Sequence, residues 1–128
     1  MSAVAGIGID LARVERFRRF LAEGKAGVID RIFTAGEKAY SLGKKDPAPH
    51  LAVRFAAKEA FLKALGLGLR EGISWQDMEV VRDELGAPSL RLTGRAAEIF
   101  AERGLSALHL SYSHDGDYGV ANVVLEKP

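Results

Sequence analysis

The amino-acid sequence predicts an α+β fold: a single domain, residues 1–128, in which a mostly antiparallel sheet packs against a long buried helix. Residues 51–65 comprise eleven apolar and four charged residues, and the apolar ones occupy nearly all faces of a helix, which is typical of a buried helix. Residues 107–113 and 118–126 are separated by a turn, which predicts a hairpin. The length is that of one domain, and no repeat or low-complexity tract divides it.

The chain opens on a predicted strand. Residues 3–9 form a short apolar run that predicts a buried strand, and Gly6 and Gly8 indicate that another part of the chain closely approaches its backbone. Asp10 is expected to end this strand. Residues 11–22 then carry apolar side chains at helical spacing with arginines on the other faces, which predicts an amphipathic helix.

A capping signal and a proline-rich segment organise the next part of the chain. A short helix is expected over 26–33. Thr34 and Glu37 match a capping box, so a helix over 35–42 should follow. Two prolines in 43–49 predict a loop.

The long helix over 51–65 should end at Gly66, a residue that readily adopts the left-handed C-terminal conformation. In the rest of the chain, turn residues and the alternation of apolar and polar residues predict the strands and their connections. The remaining predicted elements are strands over 75–82 and 89–92, a helix over 93–103 capped by Thr93, and the hairpin strands over 107–113 and 118–126.

Charge is distributed unevenly along the chain. Residues 1–70 carry 13 Lys and Arg against 7 Asp and Glu (+6), and residues 71–128 carry 5 against 10 (−5), which together give the net charge of +1. This balance argues against a general nucleic-acid binder, and the basic half is suited to an anionic partner unless the charges interleave in space. The chain contains no cysteine and no run long enough to cross a membrane, so a cytoplasmic protein is expected.

Charged residues within the long helix raise the first functional question. Arg54, Lys58, Glu59 and Lys63 lie among apolar neighbours, where an unpaired charge is costly. In one interpretation, Glu59 and Lys63 form a surface ion pair and Lys58 extends to water. In the other, this side of the helix lines a cleft in which Glu59 holds a cation and the two lysines hold phosphate oxygens.

Asp10 also has two interpretations. A residue between a strand and a helix is often an N-cap. Strand ends that lead into helices also present ligand groups, and Asp10 together with Glu59 would supply two hard oxygen ligands. Two such ligands suit Mg²⁺ completed by water and substrate phosphates, and they are too few for a structural zinc site.

The strand segment His109-Leu-Ser-Tyr-Ser-His114 carries other polar groups. Adjacent Ser113, His114 and Asp115 cannot form a hydrolase relay, and no nucleophile elbow is present. A metal site built from the histidines and aspartates here lacks recognised spacing. Gly66-Leu-Gly68 follows a helix instead of opening one, so it does not match a dinucleotide-binding fingerprint.

Three segments together closely resemble the holo-acyl-carrier-protein synthases, the short class of 4'-phosphopantetheinyl transferases. They are Gly6-Ile-Gly-Ile-Asp10-Leu-Ala-Arg13, Arg54-Phe-Ala-Ala-Lys58-Glu59-Ala-Phe-Leu-Lys63-Ala-Leu-Gly66 and His109-Leu-Ser-Tyr-Ser-His114. Their order and spacing also agree with the family. The resemblance implies the fold of these transferases, with transfer of 4'-phosphopantetheine from coenzyme A to a serine of apo acyl carrier protein and release of adenosine 3',5'-bisphosphate, a step in fatty acid biosynthesis.

The resemblance also implies roles for individual residues. Asp10 and Glu59 match the magnesium ligands of the family, and Lys63 matches the residue that neutralises the pyrophosphate. The expected coenzyme A contacts are Lys58, Lys63, His109 and Gly66, with Lys44 and Lys45 as candidates for its 3'-phosphate. The general base stays open between a metal-bound water and a water held by Glu59.

The resemblance further implies an acidic partner and an assembly. The basic first helix matches the region that docks the carrier protein, and its candidate contacts are Arg13, Arg16, Arg18 and Arg19. The short class forms homotrimers with active sites between subunits. Two other functions compete with the transferase: a binding module that recognises an acidic protein without turnover, and a phosphohydrolase that uses the same carboxylates.

Overall fold

The computed structural model describes residues 1–128 and contains two antiparallel sheets. The larger sheet has the strand order β1-β5-β4, and β2 pairs with β3 in the smaller one. The helices are α1 (Val14–Ala22), α2 (Ala26–Ile32), α3 (Ala35–Leu42), α4 (Pro47–Leu65) and α5 (Gly94–Glu102), and the strands are β1 (Ala3–Arg13), β2 (Met78–Arg82), β3 (Pro88–Leu92), β4 (Ala107–Asp115) and β5 (Tyr118–Lys127). The α+β prediction is confirmed, and no helix has the length and apolar character needed to span a bilayer.

Helix α4 is the centre of the molecule, and its predicted burial is confirmed. It packs across one face of the larger sheet, where a Cβ on Gly8 would lie 1.9 Å from the Ala60 carbonyl oxygen and one on Gly6 2.2 Å from that of Ala64. Only glycine allows this approach, which is the close contact that the sequence predicted. Helix α4 therefore holds its functional side chains at a fixed height above β1.

The first strand is longer than predicted. It continues through Asp10 to Arg13, because β5 pairs with it as far as Arg13 opposite Tyr118. Asp10 lies opposite Ala121 inside the strand, so it neither ends β1 nor caps a helix, and α1 begins at Val14 instead of residue 11.

The prediction that this strand is buried is wrong for its outer face. Helix α4 covers only the side of the sheet that carries Gly6, Gly8 and Asp10, and alternate residues point away from it. As a result, large apolar side chains of β1 are 59–65% exposed. They are Val4, Ile7, Ile9 and Leu11.

Local signals explain the other boundaries. The capping box is confirmed, since the Thr34 hydroxyl accepts from Glu37 N and the Glu37 carboxylate accepts from Thr34 N. Helix α4 starts at Pro47 within the predicted loop, because proline is tolerated in the first turn, where its missing N–H has no helical partner. Thr93 stands at the N-cap of α5, but its side chain makes no capping bond, contrary to expectation. Trp75–Asp77 form a 3-10 turn before β2.

Candidate active site

A cavity of about 640 Å³ opens between β1, the helices α1, α2 and α4, and the Trp75 turn. Asp10 from β1 and Glu59 from α4 both line it, so the structure brings together the two carboxylates that the sequence singled out. The other lining residues are Leu11, Ala12, Arg13, Arg16, Val28, Arg31, Ile32, Phe55 and Trp75. We call this space the carboxylate cavity.

Lys63 forms its ion pair with Asp10. Its Nζ lies 2.9 Å from Asp10 Oδ1 and 3.1 Å from the Ile9 carbonyl oxygen. The surface ion pair between Glu59 and Lys63 that the sequence allowed is therefore replaced by a contact across α4 and β1. The Asp10 side chain is 13% exposed and that of Lys63 is 53% exposed, so the ammonium remains open to solvent. An ammonium has three donors, and Lys63 retains one for an incoming anion.

Glu59 lies in an environment that disfavours its negative charge. Burial, followed by the neighbouring charge of Asp10, raises the pKa of Glu59, while Lys63 and Arg16 act in the opposite direction. A divalent cation bound between the two carboxylates would offset the cost of charge on Glu59. No third histidine, cysteine or carboxylate joins them. The pair thus fits a hard cation such as Mg²⁺ that takes its remaining ligands from water and phosphate, and does not fit a closed zinc site.

Aromatic and basic groups form the rest of the wall. The rings of Phe55 and Trp75 are 5.3 Å apart between centroids, and the Arg16 guanidinium lies 5.0 Å from the Phe55 ring centre. Arg13 and Arg31 also line the cavity, whereas Arg18 pairs with Asp46. Arg19 is exposed on α1 and does not line the cavity. The open side of the site is consequently positive and partly apolar.

Lys58 does not lie in the carboxylate cavity. Its side chain is 0% exposed, and its ammonium donates to Glu37 Oε1 at 2.7 Å, to the Ile32 carbonyl at 2.7 Å and to the Trp75 carbonyl at 3.1 Å. All three donors are used inside the protein. The alternative that Lys58 extends to water is wrong, and within one chain no donor of Lys58 remains for the expected contact with coenzyme A. Burial lowers the pKa of Lys58, and Glu37 opposes that shift.

His109 lies on the opposite side of the sheet from the carboxylates. It stands across from Val124, which stands across from Ile7, so all three share the outer face. Its ring contacts the carboxylate of Glu126. Within one chain, the structure therefore does not bring His109 together with Asp10, which occupies the inner face.

The sequence analysis named only Lys44 from a second basic cluster and missed the other members. On the inner face of β4, the His114 ring lies 5.9 Å from that of His50, and His50 lies 5.8 Å from the ring of Tyr40. The Lys44 ammonium is 4.4 Å from the Tyr40 ring centre, and the Arg54 guanidinium is 4.3 Å from it. The two signals available were the charge of Arg54 inside an apolar helix and the second histidine of the His109 segment.

Arg54 connects this cluster to a second cavity of about 430 Å³. Arg54 is 2% exposed, donates to the His50 carbonyl at 3.1 Å, and leaves its Nε without a hydrogen-bond partner. Burial lowers the pKa of Arg54, while Tyr112 and Glu37 oppose that shift. A buried guanidinium with a free donor is costly in the absence of an anion. The cavity is lined by Gly36, Glu37, Tyr40, Arg54, Glu79, Val80, Val81, Arg82 and Arg91.

Lys45 and Gly66, like the other residues expected to contact coenzyme A, do not line either cavity. Lys45 is exposed in the turn before α4. Gly66 ends α4 in the left-handed conformation at φ 76°, which confirms its role as the helix stop. Their contacts with coenzyme A stay predictions.

Comparison with known proteins identifies the family. The model of the 4'-phosphopantetheinyl transferase superfamily matches residues 6–123. The chain is 60% identical over 126 residues to the holo-[acyl-carrier-protein] synthase of Syntrophotalea carbinolica, covering 98% of each protein. It is 54% identical over 124 residues to that of Geobacter metallireducens, covering 97% of this chain and 98% of the relative.

Solved structures agree with this assignment. The crystal structure of the holo-[acyl-carrier-protein] synthase from Neisseria meningitidis matches with a TM-score of 0.89 at 34% identity, covering 98% of this chain and 100% of that one. A Bacillus anthracis synthase in complex with CoA (3',5'-ADP) matches with a TM-score of 0.80 at 35% identity, covering 98% of each chain. The chain therefore belongs to the 4'-phosphopantetheinyl transferase superfamily, among the holo-[acyl-carrier-protein] synthases, and is a transferase.

Proposed function

We propose that the chain transfers 4'-phosphopantetheine from coenzyme A to a serine of apo acyl carrier protein, in a reaction that depends on Mg²⁺ and releases adenosine 3',5'-bisphosphate. The serine oxygen forms a bond to the phosphorus on the pantetheine side, the bond from that phosphorus to the bridging oxygen breaks, and the serine proton is released. The observation that carries the proposal is that Asp10 and Glu59 line one cavity while Lys63 forms an ion pair with Asp10.

Asp10 and Glu59 would hold the magnesium ion. When bound, the ion neutralises charge on the phosphate oxygens, and the carboxylates fix it at the wall of the cavity. Lys63 has one ammonium donor free beside Asp10, so it can hold a pyrophosphate oxygen. Catalysis of phosphoryl-type transfer consists mainly of such positioning and charge neutralisation.

The second basic cluster supports binding of the nucleotide part of coenzyme A. Lys44, His50, Arg54 and His114 converge there, and the positive charge of this cluster suits an anion such as a nucleotide phosphate. The sequence predicted that Lys44 contacts the 3'-phosphate of coenzyme A, and we now add His50, Arg54 and His114 to the same site. The Bacillus anthracis relative was solved with CoA (3',5'-ADP), which is consistent with a nucleotide site in this fold.

The acidic carrier protein would dock on the arginine-rich side of the carboxylate cavity. Arg13 and Arg16 line that cavity, and Arg19 follows on the exposed surface of α1. Such rim charges mainly accelerate encounter and make it sensitive to salt. Trp75, which is partly exposed at the wall of this cavity, adds an apolar surface beside them for a partner's nonpolar side chains.

A homotrimer with active sites between subunits would cover the outer face of the larger sheet. Val4, Ile7, Ile9 and Leu11 form a continuous exposed apolar row there, which is typical of an interface. His109 lies on the same face, so in such an assembly it would meet a neighbouring subunit. Light scattering coupled to size-exclusion chromatography tests the assembly, and a monomer at micromolar concentration would contradict it.

The central experiment is mass spectrometry of an apo carrier protein incubated with this chain, coenzyme A and Mg²⁺. We expect the carrier to gain one phosphopantetheine group, and the gain should disappear without Mg²⁺ and in folded Asp10→Ala and Glu59→Ala variants. Full activity in both variants would refute the metal assignment. Carrier binding without product would favour a binding module, and pantetheine phosphate released without an acceptor would favour a phosphohydrolase.

A further inference from the structure

The buried ion pair between Lys58 and Glu37 connects the walls of the two cavities. Lys58 donates to two backbone carbonyl groups, those of Ile32 and Trp75, and both residues line the carboxylate cavity. Its third acceptor, the Glu37 carboxylate, lines the cavity that holds Arg54. One ammonium group thus contacts a wall of each cavity.

Glu37 extends the connection to two further elements. Its Oε1 also accepts from Thr34 N at the start of α3, and its Oε2 accepts from Val80 N on β2 at 2.7 Å. Every hydrogen-bonding oxygen of this carboxylate is engaged, so the pair has no freedom to reorient. The segment before α3, strand β2 and helix α4 are held together at one point.

The position of Lys58 on α4 relates this point to the proposed ligand groups. Lys58 directly precedes Glu59, and it lies four residues after Arg54, which places both lysine and arginine on the same side of the helix. A rotation or shift of α4 would move Glu59 in one cavity and Arg54 in the other. The three acceptors around Lys58 resist that movement.

We propose that Lys58, paired with Glu37, is a positioning residue that holds both cavity walls and so sets Glu59 and Arg54 for binding. It contacts no ligand itself, because its three donors are used and its side chain is fully enclosed. The inference rests on the proposed function, in which Glu59 serves the metal ion and Arg54 the nucleotide.

The test compares the double variant Glu37→Gln/Lys58→Met with the intact chain. Removing both partners avoids leaving one buried charge unpaired, which would unfold the site for a trivial reason. Ile99→Ala, a core substitution on α5 outside both cavities, serves as a control with a comparable loss of melting temperature. All variants are measured at a temperature where circular dichroism shows them folded.

Three readouts do not require turnover. The binding of Mn²⁺ is measured from the decrease in the electron paramagnetic resonance signal of the free ion, and the binding of adenosine 3',5'-bisphosphate is measured by calorimetry. The fluorescence emission of Trp75, the sole tryptophan, reports on the wall of the carboxylate cavity. In the double variant we expect the dissociation constants for Mn²⁺ and for the nucleotide to rise about 10-fold or more, as for other residues that orient the ligand-binding side chains without touching the ligand. The Trp75 emission maximum should shift without any ligand. The control should keep both affinities within about twofold, because it touches neither wall.

Three other outcomes would overturn the proposal. Unchanged affinities in the folded double variant would make the pair purely structural. Weakened nucleotide binding with intact manganese binding would indicate direct contact with coenzyme A, and the reverse would confine the pair to one wall. An intact chain that binds both ligands but transfers nothing would contradict the proposed function while leaving the role of Lys58 standing.

Discussion

Helix α4 contributes a lysine to each of two ion pairs: Lys58 pairs with Glu37 in the interior, and Lys63 pairs with Asp10 beside the carboxylate cavity. The two lysines differ in whether they remain available to a ligand. Lys58 has no exposed surface and gives all three donors to the protein, whereas the Lys63 side chain is 53% exposed and keeps one donor. Both lysines belong to one family motif on one apolar helix. Ligand binding requires a charge that the fold leaves incompletely paired, and complete pairing converts the same charge into a structural contact.

The largest effect should come from Lys58→Met. The substitution leaves Glu37 buried and unpaired, which costs about 3–5 kcal/mol in the free energy of unfolding. Urea denaturation followed by circular dichroism measures it. A loss under about 1 kcal/mol, the range of an exposed ion pair, would show that the two ion pairs are energetically alike.

Lys63→Met should give the opposite profile. Its exposed ion pair with Asp10 contributes at most about 1 kcal/mol to folding. If Lys63 neutralises the pyrophosphate as proposed, its loss should reduce kcat by about 10²- to 10³-fold, as for removal of other groups aimed at developing charge. A mass-spectrometric time course of carrier modification measures kcat, and Lys63→Arg is the matched control that keeps the charge. Equal activity in all three chains would remove Lys63 from the reaction.

Arg16→Ala tests a cation that is exposed in the free chain and available to a partner. Because rim contacts contribute little each, we expect KM for the carrier protein to rise by about fivefold or less, with kcat nearly unchanged. The difference from the intact chain should vanish at about 0.5 M salt, where the charges are screened. A salt-independent defect would instead assign Arg16 to the reaction itself, beside Glu59.

His50 should show the smallest effect, on the pH dependence of stability. Burial, followed by the positive charges of Arg54, His114 and Lys44, lowers the pKa of His50, while Asp46 opposes the shift. The unfolded chain therefore binds this proton at higher pH than the folded one, so stability that is present above the unfolded pKa of about 6.5 falls as the pH decreases through it.

Urea midpoints at pH 7.5 and pH 5.5 measure that loss, which should be smaller in His50→Gln. An identical loss in the two chains would mean that His50 stays outside the basic cluster in solution. An increase in stability on acidification would reverse the sign and place an anion beside the ring.

The sequence was informative wherever a local pattern is sufficient. The capping box of Thr34 and Glu37, the burial of α4, the stop at Gly66 and the close approach at Gly6 and Gly8 were all predictable. Each depends on neighbouring residues or on the absence of a side chain. Asp10 was misplaced at a strand end, because the pairing of β1 with a strand over a hundred residues later decides where β1 stops.

What the sequence determined by itself is the α+β class, the central apolar helix, and the family to which the three motifs belong. Tertiary structure alone decided which charges are available: it enclosed Lys58 between Glu37 and two carbonyl groups, left Lys63 open beside Asp10, and separated His109 from the carboxylates by the sheet. The physical reason is that the availability of a charge depends on partners from distant segments. A helix pattern records that a residue is charged and on which face it lies, but not which acceptors meet it there.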